Sequence, residues 1–76
     1  MLIEILIASC IYEQTYSTQM KCHYKNSIWI SKSHVTKFYP DDGNHYVGKT
    51  CWLQEDDEAR TLMAESCEDF SKRFNQ

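Results

Sequence analysis

The chain reads as an α+β domain: an antiparallel meander of four to five strands with one amphipathic helix at its C-terminus packed on one face. Three observations carry that expectation. The first half is built from short β-prone runs with alternating polarity. A strong turn signal, Pro40-Asp41-Asp42-Gly43-Asn44, divides the chain. Residues 54–74 contain no Gly or Pro and place Ala59, Leu62, Met63, Cys67, Phe70 and Phe74 at helical spacing.

The first run, residues 2–12, is apolar at both parities. Ile3, Ile5, Ile7 and Ile11 fall on one side, and Leu2, Leu6, Cys10 and Tyr12 on the other, the pattern of a strand covered on both faces. It is too short to span a bilayer. No basic residue precedes it and Glu4 interrupts it, so it does not read as a secretion signal. Residues 15–24 alternate as a second strand. Lys25-Asn26-Ser27 reads as a tight turn, Ile28-Trp29-Ile30 as a third strand, Ser31-Lys32-Ser33 as another turn and His34 to Tyr39 as a fourth strand. The Pro-Asp-Asp-Gly-Asn segment then joins a fifth strand, His45 to Leu53, as a hairpin. Four acids, Glu55 to Glu58, open the expected helix and Lys72-Arg73 close it, both matched to the helix dipole.

Seventy-six residues make a single small domain, 1–76, with a thin stability margin. One helix covers only one face of a sheet. The second face therefore either curls on itself or meets a second copy or another protein. Charge is segregated. Residues 14–50 hold five lysines against Asp41 and Asp42, whereas residues 51–76 hold seven acids against Arg60, Lys72 and Arg73. On the expected helix, Asp57, Glu58, Glu65, Glu68 and Asp69 form an acidic ridge, a candidate surface for a basic partner. On the sheet, Lys21, Trp29 and Lys37 are the candidate contacts.

Little in the chain points to chemistry. Cys10, Cys22, Cys51 and Cys67 have no Cys-x-x-Cys spacing, and His23, His34 and His45 form no His-x(3–5)-His pair, so no metal site and no cofactor is expected. No nucleophile elbow and no phosphate-cradling glycine loop occurs. The thiols are expected reduced in a cytoplasm, that of a host cell if the chain is phage-encoded. Sheet lysines beside aromatics suit single-stranded nucleic acid, but the net charge of −3 and the absence of arginine from the strands oppose it. An acidic helix is repelled by anionic lipid, which disfavours a membrane partner. The leading expectation is a non-enzymatic module that binds a larger protein or complex, nucleic-acid-handling machinery among the candidates, and inhibits or modulates it by steric occupation. Small acidic phage and mobile-element proteins that act on host defence offer an analogy of size and composition. A nucleic-acid-binding sheet is the alternative.

Overall fold

In the computed structural model, residues 1–12, 19–42 and 45–76 are described. The strands are β1 (Leu2–Ile11), β2 (Met20–Ser31), β3 (Val35–Tyr39), β4 (Tyr46–Val47), β5 (Cys51–Glu55) and β6 (Arg60–Met63), with a 3-10 turn at Lys32–His34 and a helix, α1 (Cys67–Phe74). They form one six-stranded sheet in the order β3-β5-β6-β1-β2-β4. The α+β class holds, but the sheet is mixed rather than an antiparallel meander of four to five strands. β4 runs parallel to β2, and β1 pairs with β6 across most of the sequence.

Two further expectations are corrected. Lys25-Asn26-Ser27 is no turn: β2 runs through it, and its pairing with β1 shifts register by one residue, leaving Lys25 without an opposite number between Ile7–Asn26 and Ala8–Tyr24. That is a β-bulge. The helix does not begin near Gln54 but at Cys67, and spans 8 residues. The segment before it is the β5–β6 hairpin, with Leu53 opposite Thr61 and Cys51 opposite Met63. Its acids sit in the tip, where the Glu58 N–H donates to the Glu55 carbonyl, the Glu55 N–H donates to the Ala59 carbonyl, and Asp57 Oδ1 accepts from the Ala59 N–H. Four adjacent carboxylates are better solvated in a tip than packed on one helical turn. The expected strand over 15–24 and the Gly43-Asn44 part of the turn fall partly outside the described residues. The expected fifth strand, His45 to Leu53, is split: Tyr46–Val47 leaves as β4 to pair with β2, and only β5 pairs antiparallel with β3, Tyr39 opposite Trp52.

Register assigns the two faces, because directly opposed residues share one. Ile3, Ile5, Met63, Cys51 and Leu53 are buried on the face that α1 covers with Phe70. Phe38 and Phe74 close around Phe70, with ring centroids 4.9 Å and 5.8 Å from it. The other face carries Leu2, Glu4 and Leu6 of β1, Trp29 of β2, Leu62 of β6, Trp52 of β5 and Tyr39 of β3.

The sheet is coiled. β2 and β3 lie four positions apart in the strand order, roughly 19 Å if flat at about 4.8 Å per strand, yet only Lys32–His34 joins them, a reach of at most about 14 Å. Tyr46 of the far strand β4 likewise brings its ring centroid to 5.9 Å from that of Trp52.

Two disulfides fasten this arrangement. Cys10–Cys22 crosses the β1–β2 ladder, and Cys51–Cys67 ties the start of α1 to β5. The expectation of reduced thiols is therefore corrected: strand pairing sets Cys10 opposite Cys22, and the start of α1 brings Cys67 to Cys51, across 12 and 16 residues of sequence.

Candidate interaction surface

The acidic ridge is dispersed by the shortened helix. Asp57 and Glu58 lie in the hairpin tip, and Glu68 and Asp69 in the first turn of α1. Glu65 precedes the helix and turns inward. Its carboxylate accepts a two-point contact from Arg73, Nη2 to Oε1 at 2.6 Å and Nε to Oε2 at 2.9 Å, while Nη2 also donates to the Glu4 carbonyl at 2.9 Å. Glu65 thus fixes α1 to the sheet. The Glu65 hydrogen bonds raise the Arg73 pKa above its already high ordinary value. Asp69 lies 4.0 Å from Lys49, and Glu68 pairs with Lys72 at 3.6 Å.

The three sheet candidates are also apart. Trp29 lies opposite Glu4, whereas Lys21 lies opposite Ile11 near the other end of the same ladder and on the other face. Lys37 shares the face of Trp29 but stands on β3, four strands away, with its ammonium 5.4 Å from the centre of the Tyr39 ring.

The face opposite α1 has two parts. One is self-covered. The Arg60 guanidinium lies 5.1 Å over Trp52 and donates to the Tyr39 hydroxyl at 3.4 Å, a bond that raises the Arg60 pKa. Tyr46 packs edge-on to Trp52. The Asp41 carboxylate accepts from the His45 N–H at 2.9 Å, which, with help from the Trp52 indole, holds its pKa below the usual carboxylate value.

The other part is open. Trp29 is 63% exposed, Leu2 62% and Tyr24 59%. Leu2 is the diagonal neighbour of Trp29 across the ladder, close enough for an aromatic side chain to share one patch with it. β2 itself is nearly an edge strand. β4 pairs with it only at Met20 and Lys21, so among the described residues no strand pairs with the outer side of residues 22–31. Sequence reasoning found Trp29 through its β-prone context, but it missed the edge. It split β2 at Lys25-Asn26-Ser27, and nothing local in the sequence reveals which strand ends the sheet.

A shallow acidic groove of about 270 Å³ lies between His34, Glu55, Asp56 and Asp57. Among the described residues no group of three or more His, Cys, Asp or Glu is placed to hold a metal ion. All four cysteine sulfurs are in disulfides, so no thiol is available as a nucleophile or ligand. No described helix is long and apolar enough to cross a membrane. Comparisons with protein-family models, curated proteins and solved structures return no match.

Proposed function

We propose that the chain is a non-enzymatic protein-binding module that modulates a larger protein by occupying part of its surface, with the contact centred on β2 rather than on the helix. The observation that carries this reading is the exposed Trp29 beside Leu2, on a strand whose outer edge, beyond its short pairing with β4 at Met20 and Lys21, meets no strand among the described residues. An exposed aromatic anchor is the commonest centre of a protein interface. Two disulfides also give the module a rigid frame at small size. They favour an oxidising compartment as its place of action, in place of the reducing cytoplasm.

The test is capture of partner from the source material with immobilised protein, compared with Trp29→Ser. Loss of a specific band with Trp29→Ser, in a variant whose unfolding curve is unchanged, is the expected result. Equal capture by both proteins would remove Trp29 from the contact and defeat the reading.

One observation favours single-stranded nucleic acid as a second reading. Residues 19–40 contain Lys21, Lys25, Lys32 and Lys37 and no Asp or Glu, alongside exposed Tyr24 and Trp29. Against it, Glu4 stands directly opposite Trp29, where it would repel a phosphate backbone. Fluorescence anisotropy with an oligo-dT probe decides. Binding that weakens steeply with salt would establish this second reading over the first.

A further inference from the structure

The segment Ser27-Ile28-Trp29-Ile30-Ser31 reads the same in both directions, and the fold places it on the open edge of the sheet. Hydrogen bonding fixes which of its backbone groups face outward. The Lys32 N–H donates to the Met1 carbonyl, and the register of the β1–β2 ladder sets these two residues opposite one another. Hydrogen-bonded and non-hydrogen-bonded pairs alternate along an antiparallel ladder. Ile30, Ile28 and Asn26 therefore turn their N–H and C=O toward β1, and Ser31, Trp29 and Ser27 turn theirs away from it. The far side of β1 agrees. The Ala64 N–H donates to the Leu6 carbonyl, so Leu6 directs its groups to β6, and Ser27, its opposite number on β2, faces outward. Among the described residues no strand meets those outward groups. β4 pairs only at Met20 and Lys21, about 20 Å along the strand from Ser27 at about 3.3 Å per residue.

A second copy fits this edge in one register. Two copies related by a two-fold axis pair antiparallel, and each hydrogen-bonded pair needs an outward-facing residue from both. Residues of like parity must therefore meet, so the axis passes through a residue rather than between two. With the axis at Trp29 every outward residue of the segment is used. Trp29 meets Trp29, and Ser27 meets Ser31 on either side, each pair exchanging two main-chain bonds. Moving the axis to Ile28 sets Ser31 against the Lys25 bulge, and moving it to Ile30 sets Ser27 against Ser33 in the 3-10 turn.

In the Trp29 register the palindrome places like beside like. Ile28, 40% exposed, meets Ile30 of the other copy at the closely spaced non-hydrogen-bonded sites, where β-branched side chains pack across the ladder. No charge opposes a like charge, because Lys32 falls opposite Asn26 and Lys25 opposite Ser33. The segment also lacks the charge, proline or bulge that keeps an edge strand from pairing. The Lys25 bulge lies before it and the 3-10 turn after it. A strand from an unrelated protein would require none of this symmetry.

We infer that the protein forms a two-fold dimer by antiparallel pairing of β2 with β2 of a second copy, centred on Trp29, which joins the two sheets into one. The inference goes beyond the protein-binding reading and is compatible with it. Directly opposed residues share a face, so both Trp29 rings and both Leu2 side chains gather on the face away from α1, where a partner can reach them.

Sedimentation velocity of the disulfide-bonded protein across a concentration series is the test. The expected result is a shift from one chain per particle to two as concentration rises. Ser27→Lys/Ser31→Lys opposes lysine to lysine in both outer pairs and should raise the concentration needed by roughly tenfold. Ser27→Lys/Ser31→Glu sets opposite charges in the same two pairs and should restore the dimer, which also shows that lysine at position 27 leaves the fold intact. A particle of one chain at all concentrations up to about 1 mM overturns the proposal. So does a dimer that tolerates the double lysine variant, or one that the charge-swapped variant fails to restore. A monomer that still captures partner through Trp29 defeats the dimer and leaves the protein-binding reading standing. A dimer whose capture ignores Trp29 defeats that reading and leaves the dimer.

Discussion

Glu58 holds φ at 65°, the left-handed region, at the last position of the β5–β6 tip. A three-residue loop of this kind places Gly there by preference, because a Cβ in that region costs about 1 kcal/mol. Its side chain is exposed and, among the described residues, makes no hydrogen bond that Gly would lose. Glu58→Gly should therefore stabilise the protein by roughly 0.5–1 kcal/mol in urea denaturation. Arg73 acts in the other direction. Its two-point contact with the largely buried Glu65 and its bond to the Glu4 carbonyl all vanish in Arg73→Ala, which should cost about 2–4 kcal/mol. Arg73→Lys keeps the charge but not the fork and should recover only part of that. Asp41 gives a pH signature. Its pKa is lowered in the folded state by the His45 N–H, so its contribution is present above the unfolded carboxylate pKa of about 3.9 and is lost as pH falls through the folded value. Asp41→Asn should be less stable than the parent near neutrality, and the two unfolding midpoints should converge below about pH 4.

At the scale of elements, the sequence conveyed the class and the pattern of β1 well, since Ile3 and Ile5 are buried as their parity required. It misplaced the helix because Ala59, Leu62 and Met63 happen to continue the spacing set by Cys67, Phe70 and Phe74. Over so few residues that stripe is equally consistent with a strand in which Thr61 and Met63 share a face. The start signal lay at Ser66, followed three residues later by Asp69. The Ser66 hydroxyl accepts from the Asp69 N–H at 3.1 Å, the geometry of a helix N-cap. Ser66→Ala should cost about 1 kcal/mol, measurable as a shift in the urea midpoint. Had the helix begun near Gln54, that substitution would fall mid-helix and slightly stabilise. The edge position of β2 and the disulfide partners were not legible, because strand order and cysteine pairing follow from long-range contacts that no local pattern encodes. The acidic ridge failed for the same reason: its members share a face only on a helix that the hairpin replaces.

For the whole molecule, the decisive quantity is how small the core is beside its cross-links. Among the described residues six apolar side chains are buried, and two disulfides bracket them. A domain of this length has roughly 4–11 kcal/mol of stability at 0.05–0.15 kcal/mol per residue. Each bridge closes a loop of 12 or 16 residues and so contributes about 3 kcal/mol in the chain-entropy account. Removing both takes away a large part of the total. The two should not be equal in their local effect. Cys10–Cys22 joins strands already held by a long ladder, so its loss leaves the β1–β2 pair in register. Cys51–Cys67 is the covalent tie of a helix of 8 residues, too short to persist by itself in water. Cys51→Ala/Cys67→Ala should therefore expose Phe70 and release α1 at a lower denaturant concentration than the rest of the sheet. Hydrogen exchange should show amides of α1 losing protection first. In the parent, a reductant such as TCEP should lower the thermal midpoint sharply. An unchanged midpoint after full reduction would mean that the coiled sheet and Phe70 alone suffice, and would remove the physical reason for assigning the protein to an oxidising compartment.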